Sequence, residues 1–304
     1  MRNHAGASAR SNPHVAYPVR LARRSAVPFF LTLAFALVAN TFSAPPARAQ
    51  RELTPLQSEI RVQAARLSSA EVEERRDAVV RLGAMARPEG SRAAAAALGD
   101  MAAIVRATAA RAVLSLPPGE AATLILPLLR DRDEFVRRET AYALGLTRST
   151  LGVQPLSSAV QTDKEASVRG AAAVALGQIG DATAVPALAG TLTRRLQGSG
   201  FFNRLTRRKV EEDEFVRRAA AVSLGQIGSR EAVPVLIETL SDARAPNDVR
   251  REAARALGLI GDAAAVPALR SVLTHTDPYL SGIAFEALRK LDPSTATRPV
   301  GGRL

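Results

Sequence analysis

Paired arginines are the most chemically suggestive feature of this sequence. Arg137-Arg138, Arg217-Arg218 and Arg250-Arg251 recur at one place in a repeated phrase. Set in a row, such guanidinium groups could grip phosphate or an acidic protein, because each offers a rigid fork of donors and a permanent charge. Other chemistry is poorly supplied. The chain has no Cys, which excludes disulfides, thiolate nucleophiles and Cys-based zinc sites. Two of its three His, His4 and His14, lie near the start of the chain. The third, His275, sits in a polar Leu-Thr-His-Thr-Asp stretch that reads as a solvated loop. Glu73-Glu74 and Glu211-Glu212 are adjacent in sequence and so diverge on a helix, which makes solvated surface the expectation for both pairs. There is no Gly-rich phosphate loop, no Ser/His/Asp set and no nucleophile elbow. The residues therefore predict a protein that is not an enzyme and carries no cofactor or metal.

The elements that must position the arginines follow from an internal repeat. The phrase reads EFVRRETAYALGL from Glu134, ASVRGAAAVALGQIGDATAVPAL from Ala166, EFVRRAAAVSLGQIGSREAVPVL from Glu214 and DVRREAARALGLIGDAAAVPAL from Asp248. Weaker copies start near Glu74, Val105 and Leu280. The anchors Val105, Val136, Val168, Val216, Val249 and Leu280 are almost evenly spaced, except for one long interval between Val168 and Val216. Within one copy Val216, Ala220, Leu224 and Ile227 trace one helical stripe, and Val233, Leu236 and Leu240 trace a second. Gly180, Gly228 and Gly261 stand where a left-handed cap ends the first helix. Asp181 and Asp262 can then cap the second, and Pro186, Pro234 and Pro267 fall in its first turn. Gly83, Gly145, Gly177, Gly225 and Gly258 each follow a Leu inside the first helix. Gly costs ~1 kcal/mol there relative to Ala, so its recurrence predicts close helix approach. A pair of about thirty residues cannot bury both faces alone, so neighbours must stack. The expected fold class is an all-α solenoid, a superhelix of about six to seven two-helix repeats. It covers 70–291, with a helical cap at 50–69 and a flexible C-terminal tail at 292–304.

The consensus VRRxAAxxLGxIGDxxAVPxL resembles the short HEAT-like repeat of phycobilisome lyases and the repeat of artificial α-helical binders. The resemblance implies an armadillo-like fold and leaves function open, because it spans adaptors, chromophore lyases and an iron-dependent hydroxylase. The hydroxylase binds iron through His-Glu pairs, and this chain contains none. In similar repeats the first Arg reaches an Asp near the next helix start. This assigns Arg137, Arg169, Arg217 and Arg250, with Asp133, Asp163, Asp213 and Asp248, to a structural ladder. The resemblance also places the second helices on the concave side. Their non-core positions are then Pro155, Ser158, Ala159, Ala187, Gly190, Thr191, Val235, Glu238, Thr239, Ala268, Ser271 and Val272. These residues are small and nearly uncharged, which suits a protein partner and not the phosphate rows of nucleic acid.

The long interval holds an insertion. Residues 194–213 run about sixteen residues beyond the normal spacing. The segment joins a Gly198-Ser199-Gly200 hinge and an apolar Phe201-Phe202 tip to a basic run containing Arg204, Arg207, Arg208 and Lys209. With Val235, Glu238 and Thr239 these are the residues expected to meet a partner, an acidic protein or an anionic membrane surface. At the N-terminus the order is a basic stretch without acids, an apolar run from Ala26 to Ala39, and Ala47-Arg48-Ala49. That is the order of a secretory signal, with cleavage expected after Ala49. The apolar run would span about 21 Å as a helix, short of a ~30 Å hydrocarbon core. Loss of residues 1–49 lowers the net charge from +12 to +6, which further weakens the case for nucleic acid. The sequence thus points to an exported, periplasmic, non-catalytic protein-binding scaffold. The alternatives are a lyase-like or maturation factor holding a ligand in the hollow, and a membrane-surface binder; the alternative address is the inner membrane, anchored by an uncleaved N-terminal segment.

Overall fold

The computed structural model describes residues 53–197 and 209–295 of the chain. The signal-like segment, Phe201, Phe202, Arg204, Arg207, Arg208 and most of the C-terminal tail lie outside the described residues. A leading helix, α1 (Pro55–Arg66), precedes a series of helical pairs. These are α2 (Val72–Ala84) with α3 (Pro88–Ala94), α4 (Ala103–Ala112) with α5 (Pro118–Ile125), and α6 (Glu134–Thr147) with α7 (Val153–Thr162). Then come α8 (Ala166–Ile179) with α9 (Val185–Leu192), α10 (Glu214–Ile227) with α11 (Val233–Ser241), and α12 (Asn247–Ile260) with α13 (Val266–Ser271). α14 (Pro278–Leu291) follows as a further first helix. Among the described residues no helix is long and apolar enough to cross a membrane.

Local chemistry sets these boundaries. Asp133 and Asp213 cap α6 and α10 by accepting the N–H of Phe135 and Phe215, each at 2.9 Å. Gly180, Gly228 and Gly261 close α8, α10 and α12 with φ of 78°, 72° and 77°. A single 3₁₀ turn then leads into each second helix. Asp181, Ser229 and Asp262 open those turns by accepting the N–H two residues ahead.

The all-α expectation needs one addition. The ends of the insertion pair as two short antiparallel strands, β1 (Arg195–Gln197) and β2 (Lys209–Glu211), with Arg195 opposite Glu211 and Gln197 opposite Lys209. Strand pairing is the economical way for the chain to leave and re-enter one place, because each strand satisfies the other's backbone groups.

The first helices stack in order, α2 on α4 and onward to α14, including α8 directly on α10 across the insertion. Val136, Val168, Val216 and Val249 are fully buried at the repeated anchor. A Cβ added at Gly225 would sit 2.9 Å from Ala256 Cα, and one at Gly145 would sit 2.7 Å from Ala175 Cα. At Gly177 the neighbour is Ser223, whose Cβ would lie 2.7 Å away. Backbone therefore approaches backbone at Gly145 and Gly225, a side chain fills the space at Gly177, and the long interval leaves the stack uninterrupted.

Candidate functional site

Three regular rungs join successive repeats. Arg75 donates Nε and Nη2 to the two carboxylate oxygens of Asp100 at 2.7 and 2.9 Å. Arg106 does the same to Asp131 at 2.7 and 2.8 Å, and Arg137 to Asp163 at 2.7 and 3.0 Å. Each Nη1 turns back to two carbonyls just before its own helix, for example those of Asp131 and Arg132 under Arg137. Each Asp also accepts the backbone N–H two residues beyond it. Every rung is thus a forked ion pair with its remaining polar atoms satisfied, the condition under which a buried pair is tolerated. Burial alone would push the Asp163 carboxyl upward, yet the bonds from Arg137 and from the N–H of Glu165 hold it below the usual carboxylate range.

The acceptors differ from those assigned above, apart from Asp163. Asp133 and Asp213 cap helices, and the neighbouring acids take the guanidinium: Asp131 in one case, Glu212 in the other. Asp248 pairs with Arg251 and Arg218 on the surface and is not a rung. The physical reason is turn geometry. The cap carboxylate must fold over its own helix end, so the acid just before it faces the previous repeat. Arg75, Arg106, Asp100, Asp131 and Glu212 escape the sequence reading. A nearly constant offset from Arg to Asp, seen in Arg75–Asp100, Arg106–Asp131 and Arg137–Asp163, is the signal that could have found the regular rungs. The Arg stripe is also spent internally. Arg138 lies over the Phe135 ring at 5.1 Å and Arg251 over the Tyr279 ring at 5.0 Å.

At the insertion the ladder changes. Arg169 Nε donates to Glu212 at 3.0 Å, and the two side chains are 6% and 0% exposed. Glu212 is therefore a buried ion-pair member and not the solvated surface expected of a Glu-Glu pair. Arg194 also reaches Glu212, at 3.4 Å, and donates to the carbonyls of Val160 and Gln161. Arg217, buried, donates Nη1 to Glu211 at 2.7 Å.

The last rung departs from the pattern again. Arg250, buried, donates Nε to the carbonyl of Leu240 at 2.9 Å and directs Nη1 at His275 Nε2, also at 2.9 Å. His275 Nδ1 accepts the N–H of Asp277 at 3.0 Å. His275 thus occupies the place of a rung Asp and is not a free loop residue. A neutral imidazole has one acceptor nitrogen, and two donors are aimed at it here.

The second helices line an open groove of about 750 Å³ between α5 and α7. Its wall includes Leu126 and Pro127 on one side and Pro155, Ser158 and Ala159 on the other. Other positions assigned to a groove are core: Ala187, Thr191, Thr239 and Val272 are buried, because consecutive second helices pack side by side. The Thr239 hydroxyl donates to the carbonyl of Val235, which itself packs against the core, while Glu238 is exposed. Lys209 pairs with Gln197 through the β1–β2 ladder. Among the described residues no cluster of His and acids is spaced to hold a metal ion.

Residues 92–171, 121–196 and 242–301 match the family model for HEAT repeats, and 216–242 match that for the PBS lyase HEAT-like repeat. Among solved structures, YibA from E. coli is similar with a TM-score of 0.53 at 20% identity, over 77% of this chain and 81% of that one. An engineered protein has a TM-score of 0.48 at 22% identity, covering 76% and 68%. The CpcE–CpcF complex of phycocyanin lyase from Nostoc sp. PCC7120 gives 0.44 at 23%, covering 84% and 95%. Likeness at these identities concerns the fold alone. No curated protein matches the chain in sequence.

Proposed function

This chain belongs to the HEAT-repeat family and is a helical repeat scaffold, and we propose that it works as an exported, non-catalytic adaptor that captures a protein segment along its second helices. The groove between α5 and α7 carries this reading. Its wall mixes apolar Leu126, Pro127 and Pro155 with small or hydroxyl side chains such as Ser158 and Ala159; its charged residues are Asp163, already held by Arg137, and the exposed Arg130. Such a surface offers apolar contact and a few hydrogen bonds without a field of one sign, which suits a polypeptide. Solenoids of this kind present their repeats as extended binding surfaces. Export rests on the basic, apolar and small-residue order of residues 1–49.

The test is capture from the exported fraction by the full chain. Ser158→Arg with Ala159→Arg, which fills the groove, is expected to abolish recovery of a partner while circular dichroism stays helical. Phe201→Ser with Phe202→Ser asks the same of the insertion. Undiminished capture by the groove variant rejects the groove as the contact. N-terminal sequencing of the secreted form is expected to begin at Gln50, and a chain retained in the cytoplasm rejects export.

A further inference from the structure

Arg169, Arg217 and Arg250 all depart from the rule set by the regular rungs, and Arg217 does so although an acid stands in register. Arg75, Arg106 and Arg137 each reach an Asp at a nearly constant offset in the following repeat. Arg217 has such a partner in register. Asp242 stands as far beyond Arg217 as Asp100 stands beyond Arg75, and it accepts the N–H of Arg244 at 2.9 Å, the turn geometry of a rung acid. Arg217 nevertheless donates Nη1 to Glu211 at 2.7 Å, and its Nε, the atom that bonds the Asp in every regular rung, is buried without an acceptor. No cation lies within ion-pairing distance of Asp242 among the described residues. Donor and acceptor border one cavity of about 100 Å³, which Arg217, Glu211 and Asp242 line together with Glu238 and Arg194.

We propose that Arg217 is a two-position latch, alternating between Glu211 at the end of β2 and Asp242 in the next repeat. Each position has a cost that keeps the other competitive. The Glu211 pair leaves a buried donor unmet, and the Glu211 carboxylate is 41% exposed and so screened by water. The Asp242 pair completes the forked rung but releases the ionic tether of β2. Arg194 does not compete for Asp242, being held by Glu212 and the carbonyls of Val160 and Gln161. The latch makes the hold on the base of the insertion and the tightness of the α10–α11 junction reciprocal. A partner that offers Lys or Arg to the exposed Glu211 carboxylate drives Arg217 onto Asp242.

Backbone hydrogen exchange on the full chain tests this. Asp242→Asn removes the competing acceptor, so the amides of Lys209–Glu211 are expected to exchange about two- to threefold more slowly. Glu211→Gln is expected to speed them and to shift the Arg217 Nε–H resonance to a hydrogen-bonded position. That shift is expected to be absent in the Glu211→Gln, Asp242→Asn double variant. A permanently fixed Arg217–Glu211 pair would leave β2 exchange unchanged or faster in Asp242→Asn, and either result overturns the proposal. An Nε–H resonance that Glu211→Gln leaves in place also overturns it.

Discussion

Gly225→Ala probes the packing on which the whole stack depends. In an open helix this change is favourable by ~1 kcal/mol, because Ala loses less backbone freedom and shields the helix better. At Gly225 the new Cβ would meet Ala256 Cα at 2.9 Å and Ala256 Cβ at 3.0 Å. The first of these neighbours is backbone, so no rotamer change relieves the contact and α10 must shift from α12. Overpacking of this kind costs ~1–3 kcal/mol, and contact with backbone rather than with a side-chain end places it at the upper end. The net expectation is a loss of about 1–2 kcal/mol. Gly282 in α14 is the control, with nothing within 4 Å of an added Cβ. There the same change is expected to stabilise by about 0.5–1 kcal/mol. Urea unfolding followed by far-ultraviolet circular dichroism reads both signs, as shifts of midpoint in opposite directions. Because repeat stacks can unfold in segments, midpoints and slopes should be compared together. A Gly225→Ala variant with a midpoint at or above that of the parent would refute the claim that backbones touch there.

The ladder supplies three further expectations. Asp163→Ala leaves the buried Arg137 guanidinium without its acid and is expected to cost about 3 kcal/mol in the same unfolding assay, far more than loss of an exposed pair such as Arg76–Glu73. Burial pushes Asp131 and Asp163 upward, but their Arg partners and backbone donors hold both carboxyls below the ordinary range. Since the folded value lies below the unfolded one of about 3.9, this stability is full above about pH 4 and is lost as pH falls through the folded values; Asp163→Asn should flatten that acid limb. His275→Asp restores a two-acceptor carboxylate opposite Arg250 and the N–H of Asp277. It is expected to raise stability at neutral pH by about 1–2 kcal/mol, and a loss would refute the assignment of His275 to a rung position.

Much of the fold is legible in the chain because the responsible physics is local. The stripe of Val216, Ala220 and Leu224, the left-handed Gly228 and the capping Asp213 act within one or two turns of helix, so spacing alone reveals them. The recurrent glycines are a longer-range signal that survives in sequence, since an unfavourable residue repeated in register demands a packing reason. The groove is harder to read. Ala159 and Thr239 occupy equivalent places on their helices, yet one is half-buried and the other buried, because exposure depends on how closely the next second helix packs.

From sequence alone came the two-helix unit, its number of copies, its caps and the arginine position that repeats, all consequences of helical periodicity and end chemistry. Tertiary structure decided which acid each arginine meets. Asp131 and Asp133 are close in sequence and chemically identical, as are the neighbouring carboxylates of Glu212 and Asp213 for this purpose, and only the turn of the chain against the preceding repeat selects Asp131 and Glu212. The same holds for Arg217, whose register names Asp242 while the folded strand pair brings Glu211 within 2.7 Å. A charge pairs with what surrounds it in space, and that neighbourhood exists only once the repeats are stacked.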